Sequence, residues 1–127
     1  MRIGLPFLLG LLTAIVLWGC AESGVRKGPP VRLDIALGDR QVDWALVYYQ
    51  SWHRERNAHY LRLARRQMAD AIKTYFDIQV RIGHSYPDFY DVDFKRRASC
   101  RYLSEIDRDA SKFRIALEDT DRFGCLR

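Results

Sequence analysis

Apolar residues return every three or four positions through most of this chain, which is the spacing of a helix with one buried face. Advancing 100° per residue from Val42, the residues Tyr60, Leu61, Ala64, Met68, Ala71, Ile72, Tyr75, Ile78 and Ile82 fall within about 120° of one another. Arg62, Arg65, Arg66, Asp70, Lys73, Asp77 and Arg81 lie outside that sector. Val42, Leu46 and Tyr49 carry the stripe backward, so the pattern predicts one helix from Val42 to a stop at Gly83. The stretch Phe76-Asp-Ile78-Gln-Val80-Arg-Ile82 also alternates strictly, and a strand competes with the helix there. A loop over 84–93, turning at Ser85-Tyr86-Pro87-Asp88, precedes a second helical stripe of Ala98, Tyr102, Ile106, Ala110, Phe113 and Leu117. Val31 to Leu37 alternates over seven residues and reads as a short strand, followed by a turn and helix N-cap at Gly38-Asp39.

These elements predict a mainly α fold: two long amphipathic helices in an antiparallel hairpin, with a short third helix and a short N-terminal strand as additions. The lengths do not match. A helix over 42–82 is about 60 Å long and its partner only about 36 Å, so the half of the first helix before Ala58 is left short of cover. Trp44, Tyr48, Tyr49 and Trp52 stand in that half, with Arg54 and Arg56 beside them. Tryptophan, tyrosine and arginine are the residues that most often anchor protein interfaces. Trp44, Tyr48, Tyr49, Trp52 and Arg56 are therefore the predicted partner-binding residues. The competing expectation is that residues 31–37 and the C-terminal tail, through Phe123 and Leu126, cover the same face.

The N-terminal end changes the picture. Met1-Arg2 is followed by an apolar run from Ile3 to Trp18 without a charge, too short and too near the terminus for a spanning helix but suited to an export signal. It ends Leu17-Trp18-Gly19-Cys20, which resembles the lipobox of bacterial lipoproteins, with Trp18 where that pattern carries a smaller residue. The resemblance implies cleavage after Gly19, diacylation of the Cys20 sulfur and acylation of the new amino terminus; two or three acyl chains anchor a protein stably. It divides the chain into a signal peptide (1–19), a flexible tether (20–30) rich in glycine and proline, and one helical periplasmic domain (31–127). With Ala21-Glu22 after the cysteine rather than the aspartate that retains some lipoproteins, the resemblance implies the outer membrane, facing the periplasm. The periplasmic face of the inner membrane is the alternative.

Export also settles how the charge is read. The chain of 127 residues carries a net charge of +5. An exported domain does not meet the chromosome, so nucleic acid is excluded as a partner. Lipid headgroups, lipopolysaccharide phosphates or an acidic protein remain. Of three cysteines, lipidation of Cys20 leaves Cys100 and Cys125, an even number in an oxidising compartment, to form a disulfide. Pairing makes a geometric demand. An unbroken helix from Cys100 to Glu118 would be about 27 Å long, and the seven following residues reach back only about 23–25 Å. Either the tail runs straight along the helix, or the helix bends or breaks near 104–107.

Catalytic chemistry finds no motif. His53 and His59 are six apart, whereas a zinc-binding helix needs histidines four apart on one face. Asp88, Asp91 and Asp93 lack the ligand spacing and glycine of a calcium loop and read as a helix N-terminus; Glu118, Asp119 and Asp121 read as solvated acids. No nucleophile elbow, phosphate loop or dinucleotide fingerprint is present. The sequence thus predicts no catalytic residue, metal or cofactor. The predicted function is a non-enzymatic envelope lipoprotein that binds or supports a protein partner, as an assembly or accessory factor of a membrane complex. In layout it is similar to the helical, disulfide-bearing pilot lipoproteins of secretion systems. An anionic-lipid or lipopolysaccharide-binding protein using Arg62, Arg65, Arg66, Lys95, Arg96 and Arg97 is the alternative, and a small cell-wall hydrolase a more distant one.

Overall fold

The computed structural model describes residues 31–118 and Cys125. The expected signal peptide, Cys20, the tether over 20–30 and the tail residues Phe123 and Leu126 lie outside the described residues. The domain is helical, with three helices of nearly equal length: α1 (Arg32–Glu55), α2 (Ala58–Ile82) and α3 (Asp88–Lys112). No strand occurs among the described residues.

The predicted hairpin of one 41-residue helix and a shorter partner is therefore corrected. The long helix breaks at Arg56, which takes a left-handed conformation (φ 55°, ψ 31°) and donates its N–H to the Trp52 carbonyl. Asn57 then caps α2, its side-chain oxygen accepting the His59 N–H at 2.9 Å. Neither Arg56 nor Asn57 is a glycine or a proline, so the usual breaker residues do not mark this turn. Ion pairs and hydrogen bonds fix the directions: Asp34 reaches Arg81 and Asp39 meets Tyr75 across α1 and α2, while Arg65 meets Asp107 across α2 and α3. The helices run up, down and up, each antiparallel to its neighbour in sequence.

The strand expected over residues 31–37 is the first turns of α1. Its alternation superposes two helix faces. Val31 and Ile35 continue inward to Gly38, Val42 and Ala45 against α2, whereas Leu33 and Leu37 point outward. Gly38-Asp39 is consequently not a turn but the middle of that inner face, and the Tyr75 ring lies on Gly38. The same superposition explains residues 76–82, which are helical: Ile78 and Ile82 are buried, Phe76 and Val80 face away from the core.

α2 is the central element and packs along both neighbours. Leu61, Ala64, Met68 and Ile72 of α2 meet Ala45 and Trp52 of α1 and Leu103, Ile106 and Ala110 of α3 in one cluster. Toward the other end, Ala71, Tyr75, Ile78 and Ile82 pack with Val31 and Val92. Each fully buried Leu, Ile or Met contributes about 1.5–3 kcal/mol. α1 and α3 touch one another chiefly by side chains: Lys95 Nζ on Asp39 at 2.8 Å, the Tyr49 hydroxyl on Asp109 at 2.7 Å, and the Trp52 ring edge-on to Phe113 at 5.3 Å.

α3 begins at Asp88, earlier than the expected loop allows, with Asp88 and Asp91 in its first turn, where the helix dipole favours acids. It ends at Lys112 rather than continuing to Leu117. Arg114 is left-handed (φ 56°) and the Ile115 N–H bonds the Ala110 carbonyl at 2.8 Å, a Schellman closure without its customary glycine. The helix is unbroken over 104–107, where a bend or break was one expectation, and its end at Lys112 shortens the span for the disulfide, which joins Cys100 to Cys125 with Cα atoms 5.6 Å apart. Residues 115–118 leave the helix and lie against α2, held by Arg62 Nε on the Ala116 carbonyl and by Arg65 on the Glu118 carbonyl.

Candidate protein interaction surface

The five residues predicted to bind a partner do not share one surface. Trp52 is 2% exposed; its ring is covered by Phe113 and by the Arg56 guanidinium at 5.2 Å, and its Nε1 has no hydrogen-bond partner among the described residues. Arg56, though exposed, also stands 4.8 Å over Phe113 and so lies across the α1–α3 end. Tyr49 is half-buried, edge-on to His53 and bonded to Asp109; burial first, then that hydrogen bond, push its phenol above the ordinary tyrosine range. Trp44 and Tyr48 remain at the surface, stacked with ring centres 5.9 Å apart, and Trp44 is 51% exposed.

The cationic clusters are engaged within the molecule. Arg65 is buried on Asp107 at 2.7 Å, and Arg66 meets Glu118. With Arg62 they fasten the returning segment to α2. Lys95 bridges to Asp39, and Arg96 and Arg97 converge on Asp93. Among the described residues no group of three metal-ligating side chains forms. His53 lies 3.7 Å from Asp109, and the His84 ring packs at 4.1 Å on Phe89. The Tyr75–Asp39–Lys95 contact resembles a catalytic constellation only superficially. Burial and the bond to Asp39 push the Tyr75 phenol well above its ordinary value, the reverse of what a base or nucleophile needs.

A concavity lies elsewhere, between the C-terminal half of α2 and the N-terminal half of α3. It is an open cleft of about 710 Å³ walled by Phe76 and Val80 from α2 and Phe89 and Tyr90 from α3, with Gly83 and His84 at one end. Val80 is 69% and Tyr90 64% exposed. The floor is polar and fixed. Gln79, itself buried, donates from Nε2 to Asp93 at 3.0 Å and accepts from Arg96 Nε at 2.7 Å; Arg96 and Arg97 donate to the two Asp93 oxygens at 2.8 and 2.9 Å. The Gln79 bond, followed by the two guanidinium groups, holds the Asp93 carboxyl below the usual range despite its burial. The polar floor is thus cross-linked by its own hydrogen bonds, and the apolar side chains stand around it.

The sequence pattern does not single out Phe89 and Tyr90. Phe76 and Val80 fall off the helical stripe, a signal read as a competing strand rather than as a second apolar face of the helix. No protein-family model, curated protein or solved structure matches this chain. Among the described residues, no helix is long and apolar enough to cross a membrane.

Proposed function

We propose that this chain is a non-enzymatic envelope lipoprotein, anchored through Cys20 to the outer membrane and facing the periplasm, that binds a protein partner as an accessory factor of a membrane complex. The observation that carries the binding role is the α2–α3 cleft, where Val80 and Tyr90 stand exposed around a rigid, ion-paired floor. Exposed aromatic and aliphatic side chains beside a pre-ordered polar base lose little entropy on complex formation. The Arg97 side chain is 70% exposed at the rim, so the partner segment this cleft fits carries an apolar side chain next to a carboxylate. The lipobox-like ending at Cys20 supports the anchor.

Photo-crosslinking residues placed at Val80 and at Tyr90 in intact envelopes test the cleft, with the exposed Glu55 at the opposite end of the domain as control. The reading expects one discrete protein product from both cleft positions, none from position 55, and a reduced yield when Arg97→Glu reverses the rim charge. No product from positions 80 and 90 in correctly folded protein rejects the surface. Intact mass of the membrane-extracted protein tests the anchor separately.

A further inference from the structure

The outer side of α1 carries a second apolar surface that the cleft does not use. Leu33 is 82% exposed, Leu37 46%, Trp44 51% and Val47 49%. At 100° per residue these four and Arg40 occupy a sector of about 80°. The stripe runs about 21 Å along the helix. It faces away from α3, because the α1 residues that meet α3 (Asp39, Tyr49 and Trp52) lie on other sides of the helix. Arg32, Arg40 and Arg54 are exposed and make no ion pair among the described residues; Asp34 and Asp39 are neutralised by Arg81 and Lys95, which leaves Asp43 and Glu55 as the acids of α1 outside an ion pair there, one fewer than the arginines. Tryptophan and leucine on one side, with unpaired arginines on and beside it, is the composition of a helix lying in a membrane interface.

We infer that the outer face of α1 rests on the phospholipid bilayer, with Leu33, Leu37, Trp44 and Val47 at the headgroup–acyl boundary and Arg32, Arg40 and Arg54 at lipid phosphates. The inference rests on the anchor at Cys20. Eleven residue steps separate that cysteine from Val31, so the start of α1 stays within about 40 Å of the bilayer even with the intervening chain fully extended. A second copy of the chain fits the stripe poorly. Arg40 lies at its midpoint, so a two-fold axis through the stripe sets Arg40 against Arg40, and four side chains cover much less than the roughly 800 Å² per partner of a stable interface. With α1 on the membrane, the α2–α3 cleft lies toward the opposite edge of the domain, open to the periplasm.

Tryptophan emission decides the matter. The extracted, lipid-verified protein is reconstituted into phosphatidylethanolamine–phosphatidylglycerol vesicles with brominated acyl chains and compared with its Trp44→Phe variant, so that the difference isolates Trp44. The expected difference spectrum is blue-shifted and quenched by bromine. Leu33→Glu with Leu37→Glu abolishes that quenching while the helical circular dichroism and the crosslinks from Val80 persist. Unquenched Trp44 in lipid-verified protein overturns the inference, as does crosslinking between copies through position 44. Should intact mass show no lipid, the anchor reading fails by itself. Adding that unlipidated protein to the same vesicles still judges the face: quenching of Trp44 that weakens at least severalfold in high salt supports it, and no quenching overturns it.

Discussion

The ring of Tyr75 occupies the space where a side chain on Gly38 would stand. A Cβ built on Gly38 lies 2.9 Å from both Cδ1 and Cζ of that ring, closer than carbon atoms approach. The absent side chain lets α1 and α2 come together where Tyr75 passes beneath α1 to bond Asp39 at 2.6 Å.

Gly38→Ala therefore inverts the usual rule for a helix interior. Replacing glycine by alanine in mid-helix ordinarily stabilises by about 1 kcal/mol. Here the methyl group displaces a buried ring, and overpacking costs about 1–3 kcal/mol, with the Tyr75–Asp39 bond lost as well. The net expectation is destabilisation by about 1–3 kcal/mol. Urea unfolding of the two proteins measures it; a stabilised Gly38→Ala protein would show that the ring is free to move.

The break at Arg56 offers a comparison of two opposed effects. A left-handed non-glycine residue costs about 1 kcal/mol, and the Arg56 cation over Trp52 and Phe113 returns about 0.5–1 kcal/mol at an exposed position. Arg56→Gly removes both and is expected within about 0.5 kcal/mol of the native protein. Arg56→Ala removes the cation and keeps the strained backbone, so it falls lower by about 0.5–1 kcal/mol. Thermal unfolding should rank alanine below glycine and native. The reverse order of alanine and glycine would contradict this account of the turn.

How much of this was legible follows from what each signal reports. Periodicity identifies which side of a helix is buried, and it placed Leu61, Met68, Ile72, Ile78 and Ile106 correctly in the core. It does not by itself mark where a helix stops: Gly83 announces the end of α2, whereas α1 and α3 end with arginine in the left-handed conformation, at Arg56 and Arg114, where glycine would have announced the stop. The two alternating segments were misleading for a single reason: in Val31–Leu37 and Phe76–Ile82 a helix has apolar residues on its outer face as well as its inner one. Those outer residues are the ones that form the candidate surfaces. The aromatic cluster around Trp52 was read as surface because the sequence does not tell that Phe113 and Arg56 fold over it. The Cys100–Cys125 pairing follows from cysteine number and the compartment that the lipobox resemblance implies, and the structure has the bond.

Loss of that disulfide should lower stability without unfolding the helices. The bonded cysteines are 25 residues apart, and closing a loop of that size restricts the unfolded chain by about 3–4 kcal/mol. Residues 115–118 keep their attachment to Arg62 and Arg65, so the native contacts of α2 survive. For Cys100→Ser with Cys125→Ser, the urea midpoint is expected to fall by about 2–3 M at an m-value of roughly 1–1.5 kcal/mol/M, with helical circular dichroism unchanged before the transition. An unaltered midpoint would mean that the bridge joins segments already fixed in the unfolded state.

The floor of the cleft sets an acid limit. Asp93 has its carboxyl held below the ordinary value by Gln79, Arg96 and Arg97. A depressed folded pKa contributes stability that is present above the unfolded value, about 3.9, and that disappears as pH falls through the folded value. The contribution is thus complete at neutral pH and is lost only below about pH 4. Asp93→Asn keeps the shape but removes the charge that Arg96 and Arg97 share, which should cost about 1–3 kcal/mol at pH 7. Once pH has fallen through the folded value, both proteins carry a neutral side chain there and their stabilities should converge. Denaturant midpoints taken between pH 2.5 and pH 7 follow the difference directly, and a gap that stays constant across that range would exclude Asp93 as the group whose protonation loosens the cleft.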